Sequence, residues 1–396
     1  MISPNKLFIE LEYSQLNKHG NYVCGDVCLS RKIKAENRTI SVLSDGLGSG
    51  IKANILATMT SSILLNFIAL NEPINRVINT LVSTLPIDSI RKIGYSTFSS
   101  IEIDSDGETR IIEYGNPSTL IFRGSKAIQA ESQKIITSEE TTMSQNIYYS
   151  TFAAQENDRI ITFSDGVSQS GMGLPNMPFG WDMKDITQHI KKILQMNPFI
   201  SAKQLSDKIV KQAAMNDQSI PKDDITCSVI YLTKPRKLLL ISGPPFHKKS
   251  DALLAKKTAQ FQGSTIICGG TTAQIISREL ARPIKNIQIG QQLLAPPEAE
   301  IEGIDLVTEG ILTLGEVSKR LENPHLINEN NATPADHIVQ LLLNHDEINF
   351  LIGTKVNEAH QDPTLPIELE IRRNVIKKIA RLLEDKYLKN ITLAYL

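Results

Sequence analysis

The sequence predicts an α+β protein of two domains, and three observations indicate it. The first 235 residues combine short apolar stretches of strand type with two long helical segments. After Lys237 strands and helices alternate, which is typical of an α/β layer with a mostly parallel sheet. A chain of 396 residues is long enough for two or three domains. We place the boundary in the basic, proline-containing stretch 233–237, between domains 1–235 and 236–396, although an ordinary surface loop could have this composition.

The composition limits the classes of partner. Lys and Arg number 42 and Asp and Glu 43, so the net charge is −1, and the chain as a whole has no electrostatic attraction to nucleic acid or to an anionic membrane. Four cysteines are too few for a disulfide framework and favour a reducing compartment. The first ten residues lack a signal-peptide pattern, and residues 50–70 carry too many polar side chains for a spanning helix. We therefore expect a cytoplasmic protein without nucleic-acid or membrane partners.

Periodicity predicts the elements of the first domain in chain order. Apolar residues at helical spacing, beginning with Ile51, Ile55 and Met59, predict an amphipathic helix that buries this face. The turn 104–107 between two apolar runs predicts a hairpin. The predicted strands are residues 22–29, 39–43, 96–103, 109–114, 120–122, 158–163 and 225–232. The predicted helices are residues 51–70, 73–85, 182–195 and 201–215, the last with Ser201 as its N-cap.

In the second domain strands and helices are predicted to alternate along the chain, as they do in a Rossmann-like layered fold. Its predicted strands are residues 238–242, 265–268, 305–308, 348–352 and 391–395. Its predicted helices are residues 252–261, 271–280, 317–322, 335–344 and 368–385.

Aspartates of the first domain fall at or beside predicted strands. Asp26 lies in the strand 22–29, Asp45 follows strand 39–43, Asp165 follows strand 158–163, and Asp223 with Asp224 precedes strand 225–232. A buried aspartate is costly unless it is paired or bound to a cation. Carboxylates that converge without His or Cys form an all-oxygen site, which suits Mg²⁺ or Mn²⁺. For any single one of these aspartates an ordinary turn is the more common explanation, because Asp-Gly is a common turn dipeptide.

Four motifs in this order make the pattern more specific than its parts. They are Gly25-Asp26, Ser44-Asp-Gly-Leu-Gly-Ser-Gly50, the segment 158–167 around Ser164-Asp-Gly166, and Lys222-Asp-Asp-Ile-Thr226. Over residues 20–232 this series resembles the metal-dependent PPM protein phosphatases. The most similar branch is the bacterial sporulation-phosphatase (SpoIIE) and stress-response type.

The resemblance implies a fold and a set of ligands. The fold would be a sandwich of two antiparallel sheets flanked by helices, with two Mn²⁺ or Mg²⁺ ions at one end. Asp45 would bridge the ions, Asp26 and the Gly46 carbonyl would bind one, and Asp165 and Asp223 would bind the other. These four aspartates would be the catalytic residues. Asp224 would support the ligands without touching a metal.

The resemblance also implies an activity. The protein would hydrolyse phosphoserine or phosphothreonine on a bacterial signalling protein, using a water that two metals activate. Dimerisation assembles the site in some relatives, so a homodimer is among the expected partners. In animal relatives an arginine just ahead of the Gly-Asp motif binds the substrate phosphate. This sequence has no arginine just ahead of Gly25-Asp26. The alternative is a non-catalytic signalling scaffold or ligand sensor that keeps the phosphatase fold.

The second domain resembles the C-terminal extension of some sporulation-type phosphatases, which implies a regulatory role. Its glycine-rich turns follow predicted strands, where open α/β sheets bind ligands. We expect a site for a small anion or nucleotide there, lined by Gly243, Gly269, Gly270, Thr271 and Thr272. The acidic or titratable residues Asp305, Glu309, His360 and Asp362 are expected to join it. The alternative is a structural or dimerising domain whose glycines only form tight turns.

Overall fold

The computed structural model describes residues 7–33, 35–84, 96–134, 147–286, 299–326, 332–355 and 365–396; of residues 82, 83 and 365–371 it describes the backbone only. The chain divides into two compact units, Met1–Lys234 and Pro235–Leu396, which we call the N-terminal and C-terminal units. The boundary predicted from the sequence, between 235 and 236, lies one residue after this division.

The N-terminal unit contains strands β1 to β11 and helices α1 to α5. Its strands are β1 (Phe8–Leu16), β2 (Asp26–Ile33), β3 (Arg38–Gly46), β4 (Ser96–Ile103), β5 (Glu108–Tyr114), β6 (Leu120–Arg123), β7 (Lys126–Ile128), β8 (Glu131–Lys134), β9 (Ile147–Ala153), β10 (Asp158–Phe163) and β11 (Ile225–Thr233). Its helices are α1 (Ile51–Ala69), α2 (Ile74–Thr84), α3 (Asp165–Ser168), α4 (Met183–Met196) and α5 (Ala202–Asn216).

Two antiparallel sheets form this unit. One has the strand order β1-β11-β10-β6-β7 and the other the order β2-β3-β4-β5-β9-β8. Helices α4 and α5 pack their apolar faces on the first sheet, and α1 and α2 pack on the second. The predicted α+β sandwich flanked by helices is therefore confirmed.

Two strands are buried along nearly their whole length. In β11 every residue except Thr233 is buried, and in β3 every residue except Asp45 is buried. A strand buried on both faces has one layer above it and another below it. Gln15, on β1, links the two sheets because its side-chain amide donates to the Asp26 carbonyl (3.0 Å) and to Thr226 Oγ1 (3.0 Å).

The buried face of α1 differs from the predicted one. Ile51 is 66% exposed, and Ile55 and Met59 are exposed as well. The face turned toward the sheet is instead made mostly of small residues at its start, which lets the helix approach the strands closely. The buried residues of α1 are Ala53, Ala57, Thr60, Ser61, Leu64, Leu65 and Ile68. Thr60 and Ser61 can be buried because their hydroxyls donate to carbonyls one turn earlier in the helix.

Among the described helices, Ile51–Ala69 alone is long and apolar enough to cross a membrane by length and composition. Of its most apolar window, 39% is buried inside the protein. Core helices of soluble proteins pass the same test, so the observation is weak evidence for a membrane span.

The first strands also differ from the predictions. Strand β2 begins at Asp26, so the predicted strand 22–29 was placed four residues too early, and Asp26 lies at a strand end instead of inside a strand. Strand β1 was missed because Glu10 and Glu12 interrupt its apolar pattern. Glu10 is nevertheless buried, and its carboxylate accepts a hydrogen bond from the Ala202 N–H at the start of α5 (3.1 Å).

The C-terminal unit is a smaller α/β domain, as predicted. Its strands are β12 (Lys237–Ser242), β13 (Ser264–Cys268), β14 (Lys285–Asn286), β15 (Ala299–Glu300), β16 (Leu306–Thr308), β17 (Glu347–Ile352) and β18 (Asn390–Tyr395). Its helices are α6 (Asp251–Gln260), α7 (Gly270–Leu280), α8 (Ile311–Glu322), α9 (Pro334–Asn344) and α10 (Leu365–Asp385), with short 3₁₀ turns at Lys248–Ser250 and Pro324–Leu326.

The sheet of this unit has the order β14-β15-β16-β13-β12-β17-β18. The five strands from β16 to β18 in this order pair in parallel, and β14 and β15 add an antiparallel edge. Helices α8, α9 and α10 share one apolar core with the sheet, and α6 and α7 share another. Counting only the parallel strands along the chain, the order is 3-2-1-4-5, which is Rossmann-like.

Candidate metal centre

Strand register places Asp26 beside Asp45. Strand β2 begins at Asp26 and pairs with the end of β3, and in this register the two aspartates are directly opposite each other. The backbone around Asp45 is held by β4, where the Ser96 hydroxyl donates to the Asp45 carbonyl (2.9 Å). Gly46 completes β3, and a Cβ at this position would lie 2.0 Å from the Ala53 carbonyl oxygen of α1, so only glycine fits.

The first sheet, which contains β10 and β11, contributes Asp165 and Asp223 in the same way. Strand β10 ends two residues before Asp165, and β11 begins two residues after Asp223. Ser164 and Thr226 connect the two ends, because each backbone N–H donates to the other residue, Ser164 N–H to the Thr226 carbonyl and Thr226 N–H to Ser164 Oγ, both at 3.0 Å. The two aspartates therefore lie at one end of adjacent strands.

The aspartates are near enough for their charges to act on one another. Burial, followed by the charges of Asp26 and Asp165, raises the pKa of Asp45 well above its usual range. Burial and then the charge of Asp223 raise the pKa of Asp165. The site thus brings together the four aspartates that the sequence singled out, in a setting that opposes the ionisation of Asp45 and Asp165.

Asp26 is the most deeply buried of the four, and burial raises its pKa to about 7. Neither of its carboxylate oxygens meets hydrogen-bond geometry with any described group. The hydroxyls of Thr226 and Ser164 are near enough to lower the pKa in part. A buried carboxylate with two unsatisfied oxygens beside other carboxylates is stabilised by a divalent cation, so this donor set fits Mg²⁺ or Mn²⁺.

The carboxylates are not preassembled around an ion position. Within the ranges that the structure describes, no three His, Cys, Asp or Glu side chains form a group that could hold a metal ion. Carboxylates this close repel one another when ionised, and within the described residues no set of cations neutralises all of them. We expect the final ligand geometry to form only when a cation binds.

The Asp224 carboxylate accepts hydrogen bonds from two backbone N–H groups. It is buried, its Oδ1 accepts from the Lys18 N–H (2.8 Å), and its Oδ2 accepts from the Gly25 N–H (2.9 Å). The carboxylate thereby ties the segment before Asp26 to the start of β11. The supporting role expected for it remains a prediction, and these contacts are consistent with it.

Two polar contacts at the site were missed from the sequence. Gln169, one turn after Asp165, donates from its side-chain amide to Asp165 Oδ2 (2.7 Å). The ammonium of Lys18 lies 3.7 Å from Asp223 Oδ1. The position of Gln169 four residues after Asp165 could have indicated the first contact. The second depends on the path of the chain between β1 and β2, which no local pattern reveals.

The Lys18–Asp223 pair leads to a prediction. Lys18 would compete with a metal bound by the Asp223 carboxylate, so Lys18→Met is expected to strengthen Mn²⁺ binding. Both side chains are about 40% exposed (38% and 41%), and pairs of this kind contribute little, so we expect a change of about two- to fivefold. Titration of Mn²⁺ followed by electron paramagnetic resonance measures it, and weaker binding by the variant would contradict the competition.

A third Ser-Asp-Gly sequence shows what an ordinary turn aspartate looks like. Ser105-Asp106-Gly107 lies in the hairpin between β4 and β5, with Asp106 exposed. Its own carboxylate neighbours, Asp104 and Glu108, lie in the same solvent-exposed turn, and its N–H donates to Asp104 Oδ1 (2.9 Å). The turn interpretation therefore suits Asp106, whereas Asp45 and Asp165 differ from it in burial.

The residues expected to line a site in the C-terminal unit separate into two groups. Gly243 follows β12 and packs against Gly353, where a Cβ would lie 2.2 Å from the Gly243 carbonyl oxygen, so backbone fills this turn. Gly269 is the N-cap of α7, and Gly270, Thr271 and Thr272 form its first turn. The two groups follow neighbouring strands, but only the second leaves space beside its glycines.

Asp305 was expected at this edge of the sheet, and that expectation was wrong. Its carboxylate accepts from the Thr265 N–H (2.7 Å) near the start of β13, because Asp305 precedes β16 and therefore lies at the amino ends of the strands. Glu309 follows β16 and is exposed. His360 and Asp362 lie outside the described residues.

The N-terminal unit is a two-sheet sandwich with four aspartates at one end of its strands. This is the arrangement that the resemblance to the PPM phosphatases predicts. The family model for stage II sporulation protein E (SpoIIE) matches residues 35–233. The chain belongs to the SpoIIE family. The match includes Asp45, Asp165, Asp223 and Asp224 but begins after Asp26. No curated protein gives a significant match.

Solved structures with a similar fold include two bacterial proteins. One is the PP2C phosphatase domain with a fragment of the regulatory domain of SpoIIE from Bacillus subtilis, at 18% identity over 58% of this chain and 65% of that chain, with a TM-score of 0.46. The other comprises the RsbU and RsbW domains of a Mycobacterium tuberculosis protein, at 14% identity over 65% of this chain and 69% of that chain, with a TM-score of 0.47. Similarity this distant does not define an activity.

Proposed function

We propose that the N-terminal unit is a Mn²⁺- or Mg²⁺-dependent protein serine/threonine phosphatase. Its substrate would be a phosphoserine or phosphothreonine residue on a bacterial signalling protein in the cytoplasm. The observation that carries the proposal is the buried Asp26 carboxylate, whose oxygens lack hydrogen-bond partners beside three other aspartates. A scaffold without catalysis has no need of a site that destabilises its own fold in this way.

The residues would act as a binding site for two cations. Asp45 would contact both ions, Asp26 and the Gly46 carbonyl would bind one, and Asp165 and Asp223 would bind the other. Bound cations of this kind lower the pKa of water and supply hydroxide for attack on phosphorus. Gln169 orients the Asp165 carboxylate through its hydrogen bond, and Asp224 fixes the segment that precedes Asp26. Lys18 supplies a positive charge beside Asp223 that can attract a phosphate.

The finer assignments are also proposals. The C-terminal unit would regulate the phosphatase, and a homodimer would be one means of assembling the metal site. A net charge of −1 supports the expectation that neither nucleic acid nor membrane is a partner.

The test is hydrolysis of a phosphoserine peptide and of p-nitrophenyl phosphate by the full chain, with and without Mn²⁺. We expect metal-dependent turnover that Asp165→Asn reduces by at least about a hundredfold, because this change removes a metal ligand. Isothermal titration with Mn²⁺ is the parallel measurement. If the protein neither hydrolyses these substrates nor binds Mn²⁺, the proposed phosphatase activity is overturned and the scaffold is favoured. If it binds Mn²⁺ but hydrolyses neither substrate, the assay must be repeated on phosphoprotein substrates before catalysis is rejected.

A further inference from the structure

Two helices of the C-terminal unit begin at the carboxyl ends of neighbouring strands, β13 and β16. Helix α7 has Gly269 as its N-cap and helix α8 has Gly310, and neither cap supplies a side-chain hydrogen bond. Neither helix has an acidic residue in its first turn. The helices have 11 and 12 residues, so each presents a full first turn of N–H groups without intrahelical acceptors.

The two helix starts converge. The Gly269 N–H donates to the carbonyl of Thr308, the last residue of β16 (2.8 Å). A Cβ built on Gly310 would have only the Gly269 Cα within 4 Å, at 3.7 Å. Because the N-terminus of a helix carries a partial positive charge, two adjacent N-termini add their attraction for an anion.

Each helix also carries a buried threonine at its third residue. Thr272 on α7 is 1% exposed and Thr313 on α8 is 3% exposed, and neither hydroxyl has a hydrogen-bond partner. Thr272 Oγ1 points toward the helix start, since it is 3.6 Å from the Cβ position of Gly269. A buried hydroxyl without a partner costs free energy, so its occurrence at both helix starts indicates an absent acceptor.

Space is available where that acceptor would lie. A Cβ on Gly270 would meet nothing within 4 Å, and on Gly269 only Thr272 Oγ1 lies within this distance. At the end of the adjacent strand β12, Ser242 is aligned with Cys268, and its buried hydroxyl also lacks a partner. Glu309, between β16 and Gly310, is exposed and is the one charge in this loop that disfavours an anion.

We propose that this convergence binds a phosphoryl group, through the N–H groups of the first turns of α7 and α8 and the hydroxyls of Thr272 and Thr313. A phosphoryl group offers several acceptor oxygens, which matches this set of donors better than a single carbonyl does. The carboxyl edge of an open parallel sheet is where such ligands bind. Free phosphate and the phosphates of a nucleotide present the same chemistry.

The experiment uses the metal-free full chain in EDTA, with inorganic phosphate, pyrophosphate, ADP and GDP as probes at concentrations up to about 10 mM. Two variants locate binding. Gly270→Glu places a carboxylate in the open space at the start of α7, a position that favours the helix itself. Thr272→Val removes the unpartnered hydroxyl with little change of volume. Gln340→Glu, on the exposed face of α9, is the control for one added negative charge.

We expect saturable binding of at least one probe, weakened at least about tenfold by Gly270→Glu and by Thr272→Val and unchanged by Gln340→Glu. Without ligand, Thr272→Val should unfold at the same temperature as the wild type or higher. Tighter binding of ADP or GDP than of phosphate identifies a nucleotide, and equal binding identifies free phosphate. The proposal is overturned if no probe binds, if Gly270→Glu binds as well as the wild type, or if Thr272→Val unfolds earlier.

Discussion

Replacing Asp45 by Asn should abolish metal-dependent hydrolysis and also make the metal-free protein more stable. Burial and the neighbouring charges of Asp26, Asp165 and Asp223 raise the pKa of Asp45, so the folded state holds this proton more tightly than the unfolded chain and loses stability as the pH rises to neutral. Asn has nearly the same shape without the charge. We expect activity to fall at least about a thousandfold, because the residue that would contact both ions loses its negative charge. We expect the Tm in EDTA to rise by several degrees.

The two effects of Asp45→Asn have opposite signs, which separates them from general damage. Asp106→Asn is the matched control, since it makes the same change in a Ser-Asp-Gly turn that is exposed. It should leave both the activity and the Tm unchanged. Differential scanning fluorimetry with and without Mn²⁺ measures the stability. A variant that loses activity and also unfolds at a lower temperature in EDTA would show that Asp45 supports the fold, contrary to the prediction.

Replacing Asp224 by Ala should destabilise the N-terminal unit and weaken its metal binding together. The change leaves the N–H groups of Lys18 and Gly25 without their acceptor. Each unsatisfied donor costs about 1–3 kcal/mol, so the loss of two acceptors should lower the free energy of unfolding by roughly 2–6 kcal/mol. Because Gly25 precedes Asp26, the released segment should lower the affinity for Mn²⁺ as well.

Asp158→Ala is the matched control for Asp224→Ala. Asp158 is also buried, accepts from the Gln155 N–H (2.8 Å) and pairs with Arg123, but it lies at the opposite end of β10 from Asp165. Asp158→Ala should lower the free energy of unfolding by a comparable amount without changing the Mn²⁺ affinity of the folded protein. Chemical denaturation and calorimetric Mn²⁺ titration provide the two measurements. Equal Mn²⁺ affinities for Asp224→Ala and the wild type would show that Asp224 serves the fold alone.

Local chemistry in the sequence predicted much of the fold. The hairpin of β4 and β5 follows from its turn, and α5 begins where Ser201 caps it, with the Gln204 N–H donating to Ser201 Oγ (3.2 Å). The alternation after Lys237 predicted the parallel sheet. Apolar periodicity failed in α1, because a helix that lies close to a sheet buries small residues and leaves larger ones such as Ile51 outside.

The aspartates of the candidate site could be predicted from the sequence, but the hydrogen bonds and the ion pair that connect them to distant segments could not. The motif order identified the four aspartates, and strand pairing brings Asp26 to Asp45. The tie from Asp224 to Gly25 spans nearly 200 positions in sequence, and the pair of Lys18 with Asp223 spans more. Contacts of this separation depend on how two sheets stack, which periodicity within a single element does not encode. The unpartnered hydroxyl of Thr272 was likewise visible only once α7 and α8 were packed.

The hydrogen bond from Gly25 to Asp224 makes one backbone amide a reporter of the whole end of the sandwich. A buried, bonded N–H exchanges with deuterium only when its surroundings open. The exchange rate at Gly25 therefore measures how often the segment before Asp26 separates from the start of β11. A ligand that binds the closed form slows this exchange in proportion to its occupancy. Exchange at this single amide, followed by NMR, can thus monitor assembly of the site without a substrate.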